Sequence, residues 1–210
     1  MDIEKINENS IRRFYGAHRP KPIGTHRFFS VLVPFVEKDG RMFILLEERA
    51  KDMITDPGEI CFPGGQLEEG ESPLECALRE TYEETGIAPE YIDVIGRGDT
   101  LYGFANYTLY TTIAVLRPGA LDHIKIQKSE VAEVFLRPLD SFSEEPYEFA
   151  SAVSPDYDDF PYDKAGIRED YKWRTGRWSV PIYESKDHVV WGLTALMIRN
   201  IIRQLKGAEE

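Results

Sequence analysis

The chain is short of the residues that staple a fold, wrap nucleic acid or enter a membrane. Its two cysteines, Cys61 and Cys76, form no CxxC pair. That argues against a disulfide framework and predicts a reducing compartment. The four histidines, His18, His26, His123 and His188, show no metal-ligand spacing. Cations are scarce too: 25 Lys+Arg stand against 37 Asp+Glu, a formal net charge of −12. A surface of that sign suits nucleic acid poorly. It still admits a phosphorylated ligand if divalent cations supply the positive charge. No stretch approaches the roughly 18 apolar residues of a membrane span, and "MDIEKINENSIRRFYG" lacks the apolar run of a signal peptide. The expectation is a soluble, cytoplasmic protein with neither a nucleic-acid nor a membrane partner. What the chain does have is apolar bulk, 42% hydrophobic and 12% aromatic in 210 residues. That is enough for the core of one domain spanning 1–210.

Residues 1–26 read as an N-terminal arm, with a polar helix over 1–17 whose Ile6, Ile11 and Phe14 share a side. "RFFSVLVPFVEKDGRMFILLEERA" reads as two strands joined at Lys38-Asp39-Gly40, a strong hairpin signal. "GEICFPGG" reads as a short strand entering a Gly-Gly turn. Strands follow over "YIDVIGRGDTLY", "YTLYTTIAVLRP" and part of "SEVAEVFLRPLDSF". Residues 154–185 read as an irregular, aromatic and charged insertion, a lid or a dimer contact. The chain closes on an amphipathic helix with Leu193, Leu196, Met197 and Ile201 on one face. Strands among a few helices predict an α+β or mixed α/β sandwich.

The chemistry concentrates in "FPGGQLEEGESPLECALRETYEETGI", residues 62–87. Ser72, Pro73 and Glu75 form a capping box with proline at the first helical position, and Gly86 suits a left-handed end. Leu74, Ala77, Leu78 and Thr81 predict a buried stripe, with Glu80, Glu83 and Glu84 off it. In water the crowding of these three costs only tenths of a kcal/mol per pair. At a partly buried site with an effective ε of about 20, two charges about 5.5 Å apart repel by roughly 3 kcal/mol. A solvated acidic face and a cation site both fit the three residues alone. Adjacent glycines, which leave room for a bound group, favour the cation site, because hard divalent ions take carboxylate and carbonyl oxygens. Arg79, four residues before Glu83, can hold that carboxylate.

Gly65, Glu71, Arg79-Glu80, Glu83-Glu84 and Gly86-Ile87 stand at the spacings of GX5EX7REUXEEXGU, and the segment resembles the Nudix box. Thr81 at the first bulky apolar position is the one departure. The resemblance implies a Nudix-type α/β/α sandwich with a mixed sheet and a loop–helix–loop catalytic motif. It also implies hydrolysis of a diphosphate linked to another moiety, with Mg²⁺ or Mn²⁺. By position, Glu80, Glu83 and Glu84 would be metal ligands, joined by the Gly64 carbonyl. Arg79 would orient Glu83, and Glu71 would act at one remove. The base is Glu80 or a carboxylate of a later loop, Glu130 or Glu133. A homodimer is common among such proteins.

Upstream, "LLEERAKDMITDPGEICFPGG" resembles the coenzyme A pyrophosphatase signature LLTXR(S/A)X3RX3GX3FPGG. Glu47 replaces its Thr and Ile54 its second Arg. An arginine lost beside an anionic ligand removes a charge-assisted contact, for which Lys51 or the Lys172/Arg174 pair could substitute. Coenzyme A or a derivative is the expected small-molecule diphosphate substrate, cut to 3′,5′-ADP and a phosphopantetheine. ADP-ribose, another dinucleotide or a nucleoside diphosphate sugar is the alternative, and a sensor that binds without turnover a further one. Arg49 and Gly65 are candidate phosphate contacts. Tyr102, Phe104 and Tyr107 are candidates for stacking on a base. Cys61 and Cys76 read as small apolar fillers.

Overall fold

The computed structural model describes residue 3, residues 6–154 and residues 156–207. The predicted hairpin forms: β1 (Arg27–Lys38) and β2 (Arg41–Arg49) pair antiparallel, with Lys38 opposite Arg41. Asp39 and Gly40 take φ of 53° and 72°. Two positive φ values give the turn whose twist matches the flanking strands.

Alternation along β1 then sorts the core into two layers. Val31, Val33 and Phe35 face one cluster together with Ile44 and Leu46 of β2, while Leu32 and Val36 face the other together with Leu45. Helix α4 (Gly192–Leu205) covers the first layer through Ala195, Ile198, Ile201 and Ile202. Helix α2 (Pro73–Thr85) covers the second through Ala77. The predicted α/β/α sandwich is therefore present. Its sheet is mixed, because β7 (Tyr107–Leu116) runs parallel to β1. The stretch expected as one strand before it is two, β5 (Ile92–Arg97) and β6 (Leu101–Gly103), laid end to end along the far edge of β7. Strand β8 (Val131–Pro138) pairs with the other edge of β2.

Beyond the hairpin, β1 and β2 diverge, and the fork between them is filled. Strand β3 (Ile60–Cys61) pairs with β2 and β4 (Gly64–Gln66) with β1. Gly64 and Gly65, expected in a turn, thus lie in a strand. A Cβ on Gly64 would overlap the backbone of Ser30 and Val31, so glycine lets β4 close on β1. Both helix stripes also sit a notch away from expectation. On α2 the buried residues are Cys76, Ala77, Thr81, Glu84 and Thr85, and Leu74 is exposed. On α4 Thr194, Ala195 and Ile198 are buried beside Met197 and Ile201, with Leu193 and Leu196 half-buried.

The insertion over 154–185 is less irregular than expected. Strand β10 (Gly176–Tyr183) pairs with β9 (Tyr147–Val153) on one side and β11 (Val190–Trp191) on the other, making a second, three-stranded sheet. The run Trp178 to Tyr183 is rich in aromatic and branched residues, and its partner β9 supplies the ladder. Between β9 and β10, Tyr157 stacks on Trp173 at 3.8 Å near the short α3 (Tyr162–Ala165). At the other end of the chain, Asn7 caps α1 (Glu8–Ala17), which buries none of its residues. Ile6, Ile11 and Phe14 are exposed. Residues 1, 2, 4 and 5 of the predicted arm and residue 155 of the insertion lie outside the described residues.

Candidate active site

Helix α2 is bracketed as its sequence requires. Ser72 Oγ accepts from the Glu75 N–H at 3.3 Å, and Glu75 Oε2 accepts from the Ser72 N–H at 2.9 Å. Gly86 ends the helix at φ 77°, its N–H donating to the Tyr82 carbonyl. Ser30 of β1 donates to the Pro73 carbonyl at 2.7 Å and ties the helix start to the sheet. The polar residues on the buried face stay satisfied within the helix. Thr81 donates to the Ala77 carbonyl at 2.7 Å and Thr85 to that of Thr81 at 2.6 Å. A threonine therefore serves where the box has a bulky apolar residue.

Arg79 organises one side of the acidic cluster. Its Nε and Nη2 donate to the two oxygens of Glu71 at 2.8 and 2.9 Å, and its Nη1 donates to Glu80 at 2.8 Å and to Glu83 at 3.0 Å. The bidentate grip on Glu71 is the strong geometry for a guanidinium. It holds the Glu71 carboxyl down at about 2. Glu71 thus braces the arginine that braces Glu80 and Glu83.

Glu84 is held differently. It is 3% exposed, and its Oε2 accepts from the Gly64 N–H at 2.8 Å. Burial pushes its carboxyl well up, and the charge of Glu47 pushes it further. Glu80 is pushed up by burial, with Arg79 opposing. A Cβ on Gly65 would overlap the Glu80 carboxylate, so backbone and carboxylate are in close approach there.

These groups open into a cleft of about 410 Å³ lined by Gly64, Gly65, Glu80, Glu84, Arg49 and Glu130, with Leu193 and Thr194 from α4 on the far wall. Arg49 reaches it from the end of β2. There β8 carries one extra residue, Ala132, and the register shifts between Glu48 and Arg49. Bulges of this kind re-aim side chains beside sites. The Arg49 Nε is buried and, among the described residues, has no hydrogen-bond partner. The Ala50 N–H donates to the Glu130 carbonyl at 2.8 Å and fixes the start of the β8 loop beside it.

Several expected residues fall elsewhere. Glu83 is 53% exposed and lies outside the cleft lining. Glu133 lies across from Glu48 on the opposite sheet face, 3.2 Å from His188 Nε2. Tyr102 is 74% exposed, and Lys51, Lys172 and Arg174 are exposed and line no part of the cleft. Of the aromatic candidates, Tyr107 comes nearest: with Arg27 and Phe29 it lines an apolar extension that shares Gly64 and Gly65 with the cleft. Two residues, one lining the cleft and one directly behind it, were not singled out as such in the sequence. Glu47 is 1% exposed, with Oε2 unpartnered among the described residues. Cys61 donates to Glu47 Oε1 at 3.5 Å and lines the cleft rather than filling a core. A glutamate directly after the apolar run Ile44–Leu46 was the available signal.

The donor set fits a hard divalent cation. The half-buried Glu80 and the buried Glu84 line one cleft with few protein cations, and one oxygen of the buried Glu47 behind it is orphaned among the described residues. Among the described residues, the trio whose ligand atoms lie within 4.8 Å of one another is Glu48, Glu133 and His188, not the acids of α2. In the cleft, Glu80 is turned to Arg79 and Glu84 to Gly64.

Residues 26–156 match the family model for the NUDIX domain. The chain is 33% identical over 149 residues to a peroxisomal coenzyme A diphosphatase of Mus musculus, covering 66% of this chain and 61% of that one. It is 26% identical over 193 residues to Nudix hydrolase 3 of Caenorhabditis elegans, covering 84% and 72%. It is 29% identical over 192 residues to an uncharacterized Nudix hydrolase of Enterobacter, covering 89% and 88%. Among solved structures, an Ap4A hydrolase of C. elegans overlays with a TM-score of 0.46 at 23% identity, over 53% of this chain and 80% of that one. No helix among the described residues is long and apolar enough to cross a membrane.

Proposed function

From a chain that belongs to the Nudix hydrolase family, we propose a pyrophosphohydrolase that acts on coenzyme A or its derivatives with Mg²⁺ or Mn²⁺. The observation that carries the reading is the meeting of Arg49, from the coenzyme A-type signature, with Glu80 and Glu84, from the box, in one cleft. The similarity to a coenzyme A diphosphatase supports the same substrate.

In this reading Glu80, Glu84 and the Gly64 carbonyl hold divalent cation, with Glu83 beside Glu80 through Arg79. A cation held there would supply charge neutralisation at the diphosphate and acidity to the attacking water. Arg49 offers its free Nε to a phosphate oxygen. Glu130 takes the water proton as the water oxygen bonds to phosphorus, and the anhydride P–O bond breaks with its electron pair on the departing phosphate. Phe29 and Tyr107 flank the extension of the cleft as walls for the organic part of the substrate.

A second reading, ADP-ribose, another dinucleotide or a nucleoside diphosphate sugar, draws on one feature. Ile54, at the position of the signature's second arginine, is fully exposed, and the neighbouring cleft residues are Thr55, Asp56 and Glu59, two of them acids. Acids there disfavour a substrate with an additional phosphate beyond the diphosphate. Incubation with Mg²⁺ or Mn²⁺ and a panel of coenzyme A, acetyl-CoA, ADP-ribose, NADH and diadenosine polyphosphates separates the two. Release of 3′,5′-ADP from coenzyme A is the expected result. Turnover of ADP-ribose with coenzyme A intact overturns the substrate, and no turnover of any member overturns the enzyme reading.

A further inference from the structure

Glu47 lies on the sheet face that α2 covers. Leu45, two residues earlier on β2, packs in the same cluster as Ala77 of α2, and in a strand residues two apart share a face. Cys61, directly across on β3, sends its thiol to Glu47 Oε1 at 3.5 Å and also lines the cleft. Glu47 does not line the cleft itself, but Cys61 on its Oε1 does, as do the charged residues Arg49, Glu130 and Glu80 that act on it. Glu47 in turn is the charge that acts most strongly on Glu84. Its Oε2 is buried and unpartnered among the described residues, in a side chain that is 1% exposed.

A buried carboxylate oxygen without a donor is costly unless a cation meets it. Arg49, the cation two residues on, makes no hydrogen bond to it. We propose that Glu47 is a further carboxylate of the cation centre, reaching it from the sheet side, opposite the helix that carries Glu80 and Glu84. The signature that this segment resembles has Thr at this position, so the extra carboxylate belongs to this chain rather than to the box. It makes the centre more anionic and selects for tighter divalent-cation binding. Cys61 positions it by occupying the other oxygen. The inference rests on the proposed cation role of Glu84 and is tested so that the two can fail separately.

The test is Mn²⁺ binding to the whole protein, read from the EPR signal of free Mn²⁺, for the unaltered chain and for Glu47→Gln, Glu47→Thr and Glu84→Gln. Melting temperature is measured with and without Mn²⁺. Glu47→Gln and Glu47→Thr are expected to weaken Mn²⁺ binding by about tenfold or more. They are also expected to shrink the Mn²⁺-dependent rise in melting temperature. Without metal both variants should melt at or above the parent, since a buried acid has been removed from an acidic site. Mn²⁺ binding within about twofold of the parent in both variants, with Glu84→Gln impaired, overturns the role of Glu47 alone. Unimpaired binding in Glu84→Gln as well overturns the cation assignment beneath it.

Discussion

Two acidic sets lie back to back on the same strand, one residue apart. Glu47 faces α2 and lies buried behind the cleft that Glu80, Glu84 and Glu130 line, while Glu48 faces the other way and joins Glu133 and His188. By proximity alone the second set is the better cation site, because its ligand atoms lie within 4.8 Å of one another. Yet its carboxylates are already served. His188 Nε2 meets Glu133 at 3.2 Å, Lys51 meets Glu48 at 3.7 Å, and the His188 ring is stacked on Phe135 at 3.8 Å. Glu133 is 54% exposed, so water screens what remains. In the cleft the acids are further apart: Glu84 is buried, Glu80 and Glu130 are half-buried, the buried Glu47 behind them has one oxygen without a partner among the described residues, and Arg79 and Gly64 hold Glu80 and Glu84. On the proposed reading, demand for a cation follows from burial and unmet hydrogen bonding more than from spacing.

That contrast predicts the largest effect at Glu84. Glu84→Gln keeps the shape and the Gly64 hydrogen bond but removes a buried negative charge. Metal-dependent turnover should fall by about 10²–10³-fold, while the melting temperature of the metal-free protein stays level or rises. Full activity in this variant breaks the comparison. A smaller loss is expected one shell out. Glu71→Gln replaces a bidentate partner of Arg79 with one that cannot carry its charge, and Arg79 then holds Glu80 and Glu83 less firmly. Turnover should fall by about 10–100-fold, with full-length substrate affinity changed less, measured as kcat against KM.

The sequence made the inner architecture legible where local rules and tertiary packing agree. The hairpin at Asp39-Gly40, the bracketed helix over Pro73–Thr85 and the family resemblance were all readable, because caps and two-residue turns are encoded by the residues that form them. Glu47 was not legible as part of the site. Its role depends on which face of β2 meets α2, and on β3 and β4 filling the fork, which no local pattern states. The same holds for Gly64 and Gly65. They read as a turn from composition, but their lack of a side chain serves a close strand contact and the approach to Glu80. Glu130 and Glu133 read as equivalents, and only the start of β8 between them separates the two: Glu130 lies in the turn before the strand, beside Ala50, while Glu133 lies within it across from Glu48.

The two acidic sets should also differ in how pH acts on them. Burial raises the carboxyl of Glu84, and likewise those of Glu47 and Glu80, above the ordinary value of 4.5. The folded, metal-free protein therefore holds protons that the unfolded chain releases. That stability is fully present below about pH 4.5 and is lost as pH rises through the raised folded values. Glu71 works in the opposite sense: held at about 2, it adds stability above 4.5 that is lost as pH falls towards 2. With EDTA, melting temperature should fall as pH rises from about 5 to 9, and Glu84→Gln should flatten the fall. Added Mn²⁺ should flatten it as well, by supplying the charge that protons otherwise supply. A metal-free melting temperature that is constant across this range contradicts the raised carboxyls of Glu47, Glu80 and Glu84.

The smallest effect is expected on the outer face, and it is the sharpest check on the comparison. Glu133→Gln removes a half-exposed carboxylate from the pair with His188. A surface pair of this sort contributes about 0–1 kcal/mol, so melting temperature should shift by a few degrees at most. Turnover and Mn²⁺ stoichiometry should both stay within about twofold of the parent, because Glu133 lines no part of the cleft and Glu130 does. If instead Glu133→Gln releases a bound Mn²⁺ in the EPR titration, the set around His188 is a cation site in its own right. Spacing would then rank with burial in deciding where this chain holds metal. If it lowers turnover as deeply as Glu84→Gln, the proton acceptor lies on β8 at 133 rather than 130, and the loop must turn that side chain through the sheet edge during catalysis.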